Sequence, residues 1–380
     1  MNIRQPIPRL LALYILVFTG LLGAVDSSFR GQLSGWLTGN TAEPGISQLG
    51  LQYIPEWTLS TKLGAGLAAD LMLSLDAGSA ADFAKSRETK ITGDLEPYRL
   101  WLRLGGDRFE ARIGLQKINF GSASLFRPLR WFDRIDPRDP LKRTAGVKGL
   151  LLRYYFPGNA NIWFWGLLGN DDPKGWETLP TRKKGLEFGG RLQLPVPAGE
   201  AGVTFHHRRA QPAGLLNDFE PAAIDENRFA LDCKLDITIG LWFEIAAVQR
   251  DTSLPLLRHQ HMWTLGADYT FPLGNGLRIL AEYSQTARTN RFFGAGEHSG
   301  FLGLSANYLI TMLDQATAIY YWDHTRSDHY LWLNWQRTTD RWQFHIALFF
   351  NPQSAVFNGS PAATDTYAGS GFRLMIVFNH

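Results

Sequence analysis

The chain has 380 residues and a formal net charge of +3, and its composition excludes several classes of protein. Its one cysteine, Cys233, excludes a disulfide scaffold, a thiolate zinc site and covalent haem attachment. The small net charge argues against nucleic-acid binding. Charged residues make up 19%, aromatic residues 13%, and there are 38 glycines. This composition is typical of a transmembrane β-barrel, in which lipid-facing and lumen-facing side chains alternate.

The N-terminal segment predicts an exported protein. Arg4 and Arg9 precede the apolar stretch 10–22, which ends at Gly23-Ala24. A charged start, a short apolar stretch and small residues form the pattern of a cleaved signal peptide. The alternative is a membrane-anchor helix, but no polybasic flank follows the stretch. We therefore expect a signal peptide at residues 1–24 and a barrel at 25–380.

The remaining chain alternates between apolar and polar residues with a period of two. Phe109 and Ile113 lie in one such segment, Leu231 and Leu235 in a second, and Phe344 and Ile346 in a third. Period-2 alternation predicts strands with one apolar face. About eighteen segments have roughly the ten residues that a tilted membrane strand needs, with sixteen as the alternative count. The predicted fold is all-β, a single antiparallel transmembrane barrel whose apolar faces contact lipid.

The connections between these strands are alternately short and long. Short polar turns are predicted near residues 105–107, 157–159, 195–200, 239–240, 272–276, 311–314 and 338–340. Long connections are predicted near 77–93, 118–144, 171–183, 211–225, 251–259, 289–298, 323–329 and 352–369. Outer-membrane barrels have short periplasmic turns and long extracellular loops. The alternation therefore indicates the bacterial outer membrane, with both chain ends on the side of the turns.

Two further features favour the same location. The segment 371–378 alternates apolar and other residues and resembles the C-terminal strand that the barrel-assembly machinery recognises in outer-membrane proteins. Several tryptophans lie near strand ends, where an interfacial aromatic girdle belongs. They are Trp57, Trp101, Trp263, Trp322, Trp335 and Trp342.

The polar faces of the strands predict a charged lumen. With the apolar set toward lipid, three consecutive strands direct Arg99, Arg103, Arg112 and Arg153 inward, together with Glu110. Acids elsewhere also face inward, including Glu187, Asp232, Glu244 and Glu282. Cross-strand ion pairs that stiffen the wall are one interpretation. The other is a local positive excess that favours anionic solutes, and 28 arginines against 10 lysines suit carboxylate or phosphate.

The longest connection, residues 118–144, is predicted to fold into the barrel and narrow it. It carries too many bulky apolar residues to remain in water, among them Leu125, Phe126, Trp131 and Phe132. Its predicted constriction residues are Arg127, Arg130, Arg134 and Arg138. Asp133, Asp136 and Asp139 recur every three residues between arginines, which predicts internal ion pairs; calcium binding is the alternative interpretation.

The same stretch carries a resemblance to a known family. The residues are Arg112-x-Gly114-x-Gln116-x-x-Asn119-Phe120-Gly121, Pro128, Asp133, Asp136-Pro137-x-Asp139-Pro140 and Arg143-x-x-Gly146-Val147. This pattern resembles porin-like bacterial outer-membrane barrels of the alginate-export type. The resemblance implies that the arginine-lined strands and the infolded connection form the constriction, with Arg112, Gln116 and residues 127–143 in it.

The sequence predicts a porin rather than an enzyme. It has no Gly-x-Ser-x-Gly, His-Glu-x-x-His or phosphate-binding Gly-x-x-x-x-Gly-Lys motif. The alternative function is a non-conducting barrel that serves as a scaffold or sleeve for a periplasmic partner. We expect no cofactor and no nucleic acid. The expected partners are outer-membrane lipids, small anionic or polar solutes and the barrel-assembly machinery, with a monomeric or trimeric state.

Five histidines fall in or beside the predicted extracellular connections. They are His259, His261, His298, His324 and His329. His259 and His261 lie two residues apart, so on a strand both imidazoles face the same side, a spacing that suits a metal. The sequence predicts no strong metal site, and His259 and His261 are only weak candidates. The alternative interpretation is that these histidines are solvated loop residues without a function. The related hypothesis is a pore mouth that responds to pH or metal.

Overall fold

The structure is a computed structural model that describes residues 25–42, 45–84, 87–211, 223–252, 256–292, 294–353 and 366–380. The predicted signal peptide therefore lies outside the described residues. No helix in these ranges is long and apolar enough to cross a bilayer. The fold consists of eighteen strands: β1 Val25–Asn40, β2 Ile46–Gly64, β3 Leu67–Ala84, β4 Arg87–Gly105, β5 Phe109–Gln116, β6 Val147–Tyr155, β7 Asn161–Leu168, β8 Leu186–Val196, β9 Gly199–Ala210, β10 Ile224–Asp236, β11 Gly240–Arg250, β12 His259–Phe271, β13 Leu277–Thr289, β14 Gly296–Leu309, β15 Asp314–Asp323, β16 Asp328–Thr338, β17 Trp342–Phe350 and β18 Ser370–Asn379.

The strands form one closed antiparallel barrel. Each strand pairs with its neighbours in sequence, and β18 pairs with β1 in a register that places Trp36 opposite Met375. At one end the connections are short: residues 65–66, 106–108, 156–160, 197–198, 237–239, 272–276, 310–313 and 339–341. At the other end they include the long segments 117–146, 169–185 and 351–369. The predicted eighteen-strand antiparallel barrel is confirmed. We call the two ends the turn end and the loop end.

One predicted connection, near residues 77–93, is wrong. β3 and β4 stay paired through this stretch, with Ala77 opposite Leu95 and Ala80 opposite Thr92, and only residues 85–86 connect them. β5 is much shorter and pairs with β4 only over Leu100–Gly105. The hairpin therefore extends beyond its neighbour. The stretch is rich in alanine, glycine and charged residues, which weakens its apolar alternation, although Ile91 and Leu95 are exposed on the outer face.

The outer face of the wall is apolar, as predicted. Phe109, Ile113, Leu231, Phe344 and Ile346 are exposed, and Leu235 is half-buried on the same face. A soluble protein rarely exposes so continuous an apolar surface, and a bilayer covers it in a transmembrane barrel. Trp101 is the exception in the predicted girdle. It pairs with the inward residue Met72 and lies under the guanidinium of Arg112, so it faces the lumen.

The barrel interior contains a packed apolar core supplied by the segment 118–144. Phe120, Leu129 and Trp131 pack against inward side chains of β6 and β7, including Leu151 and Trp165. Further along, Leu125 and Phe126 pack against inward residues of β15 to β17 on another part of the wall. The segment begins after β5 and reaches strands far around the barrel. It therefore crosses the lumen.

Candidate functional site

Three arginines surround one glutamate near the turn end of the lumen. Glu110 forms ion pairs with Arg103 at 3.0 Å, Arg112 at 3.0 Å and Arg153 at 3.6 Å, which lie on three neighbouring strands. Arg103 also binds Asp70 at 2.8 Å. The arginine side chains remain 37%, 18% and 17% exposed, in that order. Three cations face two carboxylates here, so the cluster keeps a positive excess, although a smaller one than the sequence predicts.

Two of the predicted constriction residues donate to the backbone instead of facing open space. Arg99 is buried, and its guanidinium donates to the carbonyl of Thr144 at 2.9 Å. Gln116 is also buried, and its amide donates to the carbonyl of Gly149 at 3.0 Å. Arg99 therefore fixes the C-terminal end of the segment 118–144 to the wall, while Gln116 joins β5 to β6, the two strands that the segment connects.

The aspartates inside this segment pair with its own arginines. Arg127 binds Asp133 at 2.5 Å, Arg138 binds Asp136 at 2.8 Å, and Arg143 binds Asp139 at 3.2 Å. The prediction of internal ion pairs is confirmed. Arg134 donates to the carbonyl of Pro173 in the next connection at 2.5 Å. These pairs set the local shape of the segment and neutralise three of its six cations.

Two buried glutamates on the opposite wall hold the segment by its backbone. Glu244 on β11 accepts the N–H groups of Ser122 and Ala123 at 2.5 and 2.7 Å. Glu282 on β13 accepts the next three N–H groups, of residues 124, 125 and 126, at 2.6, 2.9 and 2.7 Å. Five consecutive backbone donors therefore end on two carboxylates. We call this arrangement the carboxylate clasp.

A glycine makes the clasp sterically feasible. Gly121 has a φ of +94°, and a Cβ at this position would lie 2.4 Å from the carboxylate of Glu244. Any larger residue would clash with the oxygen that accepts Ser122 and would also be strained at that φ. The glycine of the Phe120-Gly121 pair is therefore needed because it leaves room for the carboxylate of Glu244.

The connection 169–185 also enters the lumen, which the sequence did not predict. Its residue Glu177 binds Arg208 at 3.0 Å and Arg228 at 2.6 Å. Both arginines also bind Glu226 on β10. Burial alone raises the pKa of Glu177, but the two guanidinium groups outweigh burial and hold its pKa below the ordinary value. This fully buried ion network fills the sector of the barrel beside β9 and β10.

A cavity of about 570 Å³ remains at the loop end between the segment 118–144 and the wall. Its lining includes Arg130, Trp176, Arg288, Asp323 and Arg326. Within the described chain, Arg130 forms no ion pair. The cavity therefore combines aromatic surface, hydroxyl groups and guanidinium groups that are open to a solute.

The predicted histidine site lies elsewhere. The inward face of β12 is marked by Gln260 and Met262, which line the cavity. His259 and His261 alternate with them, so both imidazoles lie on the outer face of the barrel. In the described ranges, no group of three or more His, Cys, Asp or Glu residues is arranged to hold a metal.

Sequence reasoning found the inward acids but missed what they bind. Glu282 lies between Gly266 and Gly303 in the register of β12 to β14, so no cation stands beside it on either neighbouring strand. A buried acid without a cross-strand cation needs another donor. The lack of a cation beside Glu282 on the neighbouring strands is therefore the feature of the sequence that could have predicted the clasp. This feature does not identify which connection supplies the donors.

Comparisons with known proteins support the architecture. No protein-family description matches the sequence, and no curated protein does. The chain is similar in structure to OccAB4 of Acinetobacter baumannii, with a TM-score of 0.57 and 9% identity over 93% of this chain and 98% of that one. It is also similar to OccK5 (OpdH) of Pseudomonas aeruginosa, with a TM-score of 0.55 and 11% identity over 93% and 98%.

A third solved structure gives the same result. It is a loop-deletion mutant of OmpT, an outer membrane protein of Vibrio cholerae, with a TM-score of 0.53 and 11% identity over 94% of this chain and all of that one. Such low identities establish the fold alone. The narrower resemblance to the alginate-export type is not confirmed. The chain has the fold of porin-like outer-membrane β-barrels, with eighteen strands.

Proposed function

We propose that this protein is an outer-membrane channel for small hydrophilic solutes, with a preference for anions. The observation that carries the proposal is the cluster of Arg103, Arg112 and Arg153 around Glu110, because its positive excess remains open to the lumen. A ring of one charge in a narrow aqueous passage favours the opposite ion.

The path of a solute follows from the arrangement of the lumen. The cavity at the loop end receives it beside Arg130 and Arg326. The segment 118–144, which the clasp holds across the barrel, forms the narrow part. Beyond it, at the turn end, the arginine cluster presents guanidinium groups that are only partly neutralised. An anion therefore meets favourable charge on both sides of the constriction.

The test is the reversal potential of the purified protein in a planar bilayer under a salt gradient. The triple variant R103Q/R112Q/R153Q should shift the reversal potential toward equal permeability. Arg209→Gln is the matched control, since Arg209 pairs with Asp225 on the outer face. A triple variant with the wild-type reversal potential would contradict anion preference but leave the channel itself intact.

A non-conducting barrel is the second candidate. The fully buried network of Glu177, Arg208, Glu226 and Arg228 supports it, because this network and the apolar core occupy much of the lumen. A scaffold or sleeve has no need of an open passage. The absence of any conductance step in the bilayer, from protein that is demonstrably folded, would favour this second function.

A further inference from the structure

β4 has an unpaired edge at the loop end of the barrel. On one side it pairs with β3 from Arg87 to Gly105, but on the other side β5 pairs with it only over Leu100–Gly105. After β5 the chain enters the lumen as the segment 118–144, so it does not continue along β4. Residues 89–97 of β4 therefore have no second strand beside them in the described part of the chain. We call this stretch the open edge.

The open edge has free backbone groups. In an antiparallel strand, every second residue directs its N–H and C=O groups away from the partner strand. No hydrogen bond from a described residue reaches the main chain of residues 89–97 except along β3. Residues 89–96 are exposed and contain no proline, so each of them carries an N–H group. An edge of this kind is a template for pairing with a further strand.

The two faces of the β3–β4 hairpin differ in chemistry along the open edge. The outer face presents Ile91 and Leu95, which are 73% and 69% exposed. The inward face follows from Asp70, which binds Arg103 in the lumen, because every second residue of a strand lies on the same face. It holds four carboxylates and one lysine: Asp76, Asp82, Lys90, Asp94 and Glu96. A strand that adds to the open edge continues both faces, so it must alternate between apolar and cationic residues.

The negative charge on the inward face is not neutralised within the described ranges. Asp76 lies directly opposite Glu96, and like charges in that position repel each other. Asp94 lies opposite Gly78, and neither Asp94 nor Glu96 forms an ion pair or a hydrogen bond with a described side chain. The acids of the described chain are also not grouped to hold a metal ion. Cationic groups spaced along a neighbouring strand would neutralise them.

We propose that the open edge of β4 binds an extended basic segment of another protein, which joins the sheet as a further strand. Lysine or arginine side chains of this segment lie beside Asp94 and Glu96, and its apolar side chains cover Ile91 and Leu95. Main-chain hydrogen bonds to β4 supply the affinity, and the alternation of side chains supplies the specificity. The loop end faces the outside of the cell if the protein has its proposed outer-membrane location, so the partner is extracellular.

Other occupants fit the open edge less well. Lipid covers an apolar face but offers no hydrogen bonds to a strand edge. A second copy of this barrel brings the same carboxylates and is repelled. Beyond the predicted signal peptide, the parts of the chain outside the described ranges contain one cation, Lys85, which lies in the β3–β4 connection itself. The chain therefore has no basic segment of its own to place beside β4.

The experiment measures peptide binding to the full-length protein in detergent by fluorescence anisotropy. The probe is a labelled peptide as long as the open edge, in which valine alternates with lysine. Three further peptides test the mode of binding: a shuffled valine–lysine peptide, an alternating valine–glutamate peptide, and the probe with N-methyl groups on alternate residues. N-methylation removes the N–H groups that pair with a strand edge.

A charge reversal on the open edge tests the specificity. The variant D94K/E96K should bind the probe at least about tenfold more weakly than the wild type and should gain binding of the valine–glutamate peptide. D171K/D172K is the matched control, because Asp171 and Asp172 are exposed acids in another loop-end connection. D94N/E96Q replaces D94K/E96K if heat-modified gel migration shows that the latter is unfolded, with an expected loss of at least about threefold.

Each outcome decides the inference separately from channel function. Binding of the probe that is weakened by D94K/E96K and kept by the control variant supports the inference. Equal binding of the shuffled or N-methylated peptide overturns it, as does equal binding of the probe by D94K/E96K and the wild type. The probe should also slow hydrogen exchange of the amides of residues 89–96, and unchanged exchange there overturns the inference. A protein that conducts but binds no peptide keeps the proposed channel and loses this site, and a silent protein that binds the probe does the reverse.

Discussion

Replacing the two clasp glutamates by glutamine should have clearly unequal effects. Glu244 receives both of its short hydrogen bonds, from Ser122 and Ala123, on a single oxygen. A glutamine at this position keeps that oxygen and both bonds. Glu282 receives Ser124 on one oxygen, and Leu125 and Phe126 on the other. It also receives the indole N–H of Trp242 on the first oxygen, at 3.0 Å. A glutamine at this position carries one oxygen and one NH2 group. In either orientation of the side chain, the NH2 group faces two N–H donors and cannot accept a hydrogen bond from them.

The magnitudes follow from this count. A hydrogen bond to a charged acceptor contributes about 1.5–3 kcal/mol, and a neutral one about 0.5–1.5 kcal/mol. Glu282→Gln loses two charged bonds outright, at about 3–6 kcal/mol, and turns the other two into neutral bonds, at about 2–3 kcal/mol, so detachment of the segment becomes about 5–9 kcal/mol easier. Glu244→Gln turns its two short bonds into neutral ones, at about 2–3 kcal/mol in total, and its amide also faces the N–H of Leu129, which lies 3.4 Å from the other oxygen. Because about 1.4 kcal/mol is a factor of ten, the detached population rises at least about a thousandfold in the first variant and about thirtyfold to a hundredfold in the second.

The assay is hydrogen exchange of the backbone amides of residues 122–126 in detergent. Exchange should accelerate by at least about three orders of magnitude in Glu282→Gln and by about one and a half to two in Glu244→Gln, in line with these free energies. Glu297→Gln is the control, since Glu297 is exposed and outside the clasp. Equal acceleration in the two clasp variants, or none in either, would refute the reasoning. Single-channel conductance should become noisier in the same order.

Three further predictions concern the wall, the segment and the second connection. Leu231→Arg or Ile346→Arg should lower the free energy of unfolding by about 2–4 kcal/mol in lipid vesicles, because both side chains face the bilayer, while Lys234→Gln should not. Deletion of residues 122–140 should raise single-channel conductance, and an unchanged value would show that the narrow part lies elsewhere. The pKa of Glu177 is depressed, so its stabilising pairs persist at neutral pH and are lost as pH falls through that lowered pKa. Protease cleavage within residues 171–183 should therefore increase only when the pH falls below the ordinary range of a glutamate side chain, and unchanged cleavage would contradict the role of Glu177.

The sequence predicted the wall of the barrel far better than its contents. Each strand repeats the same alternation against lipid, so local pattern suffices to place Phe109 or Ile346 outside. The alternation is weak at residues 77–93, because alanine, glycine, serine and charged residues are frequent there and only the strand pairing defines this stretch. It also misplaced Trp101, whose position near a strand end is compatible with either face.

The contents of the lumen depend on contacts that no local pattern encodes. Arg103, Arg112 and Arg153 meet because they lie on adjacent strands, and that grouping could be predicted. The pairing of Glu282 with the backbone of residues 124–126 joins parts of the chain more than 150 residues apart. The entry of Glu177 into the lumen likewise depends on the arginines of β9 and β10 as a set. The contacts of Glu282 and of Glu177 both depend on which parts of the chain meet in the folded barrel, and residue type alone does not reveal that.

The two glutamates of the clasp accept hydrogen bonds from main-chain N–H groups, which every residue except proline possesses. The side chains of residues 122–126 therefore have no part in the attachment to Glu244 and Glu282, although some pack against the wall. Substitutions at Ser122 or Ser124 can alter the polarity of the passage while the anchor stays in place. The barrel thus separates the part that sets the position of the constriction from the part that sets its chemistry. A library restricted to these serines would alter permeation while sparing the anchor.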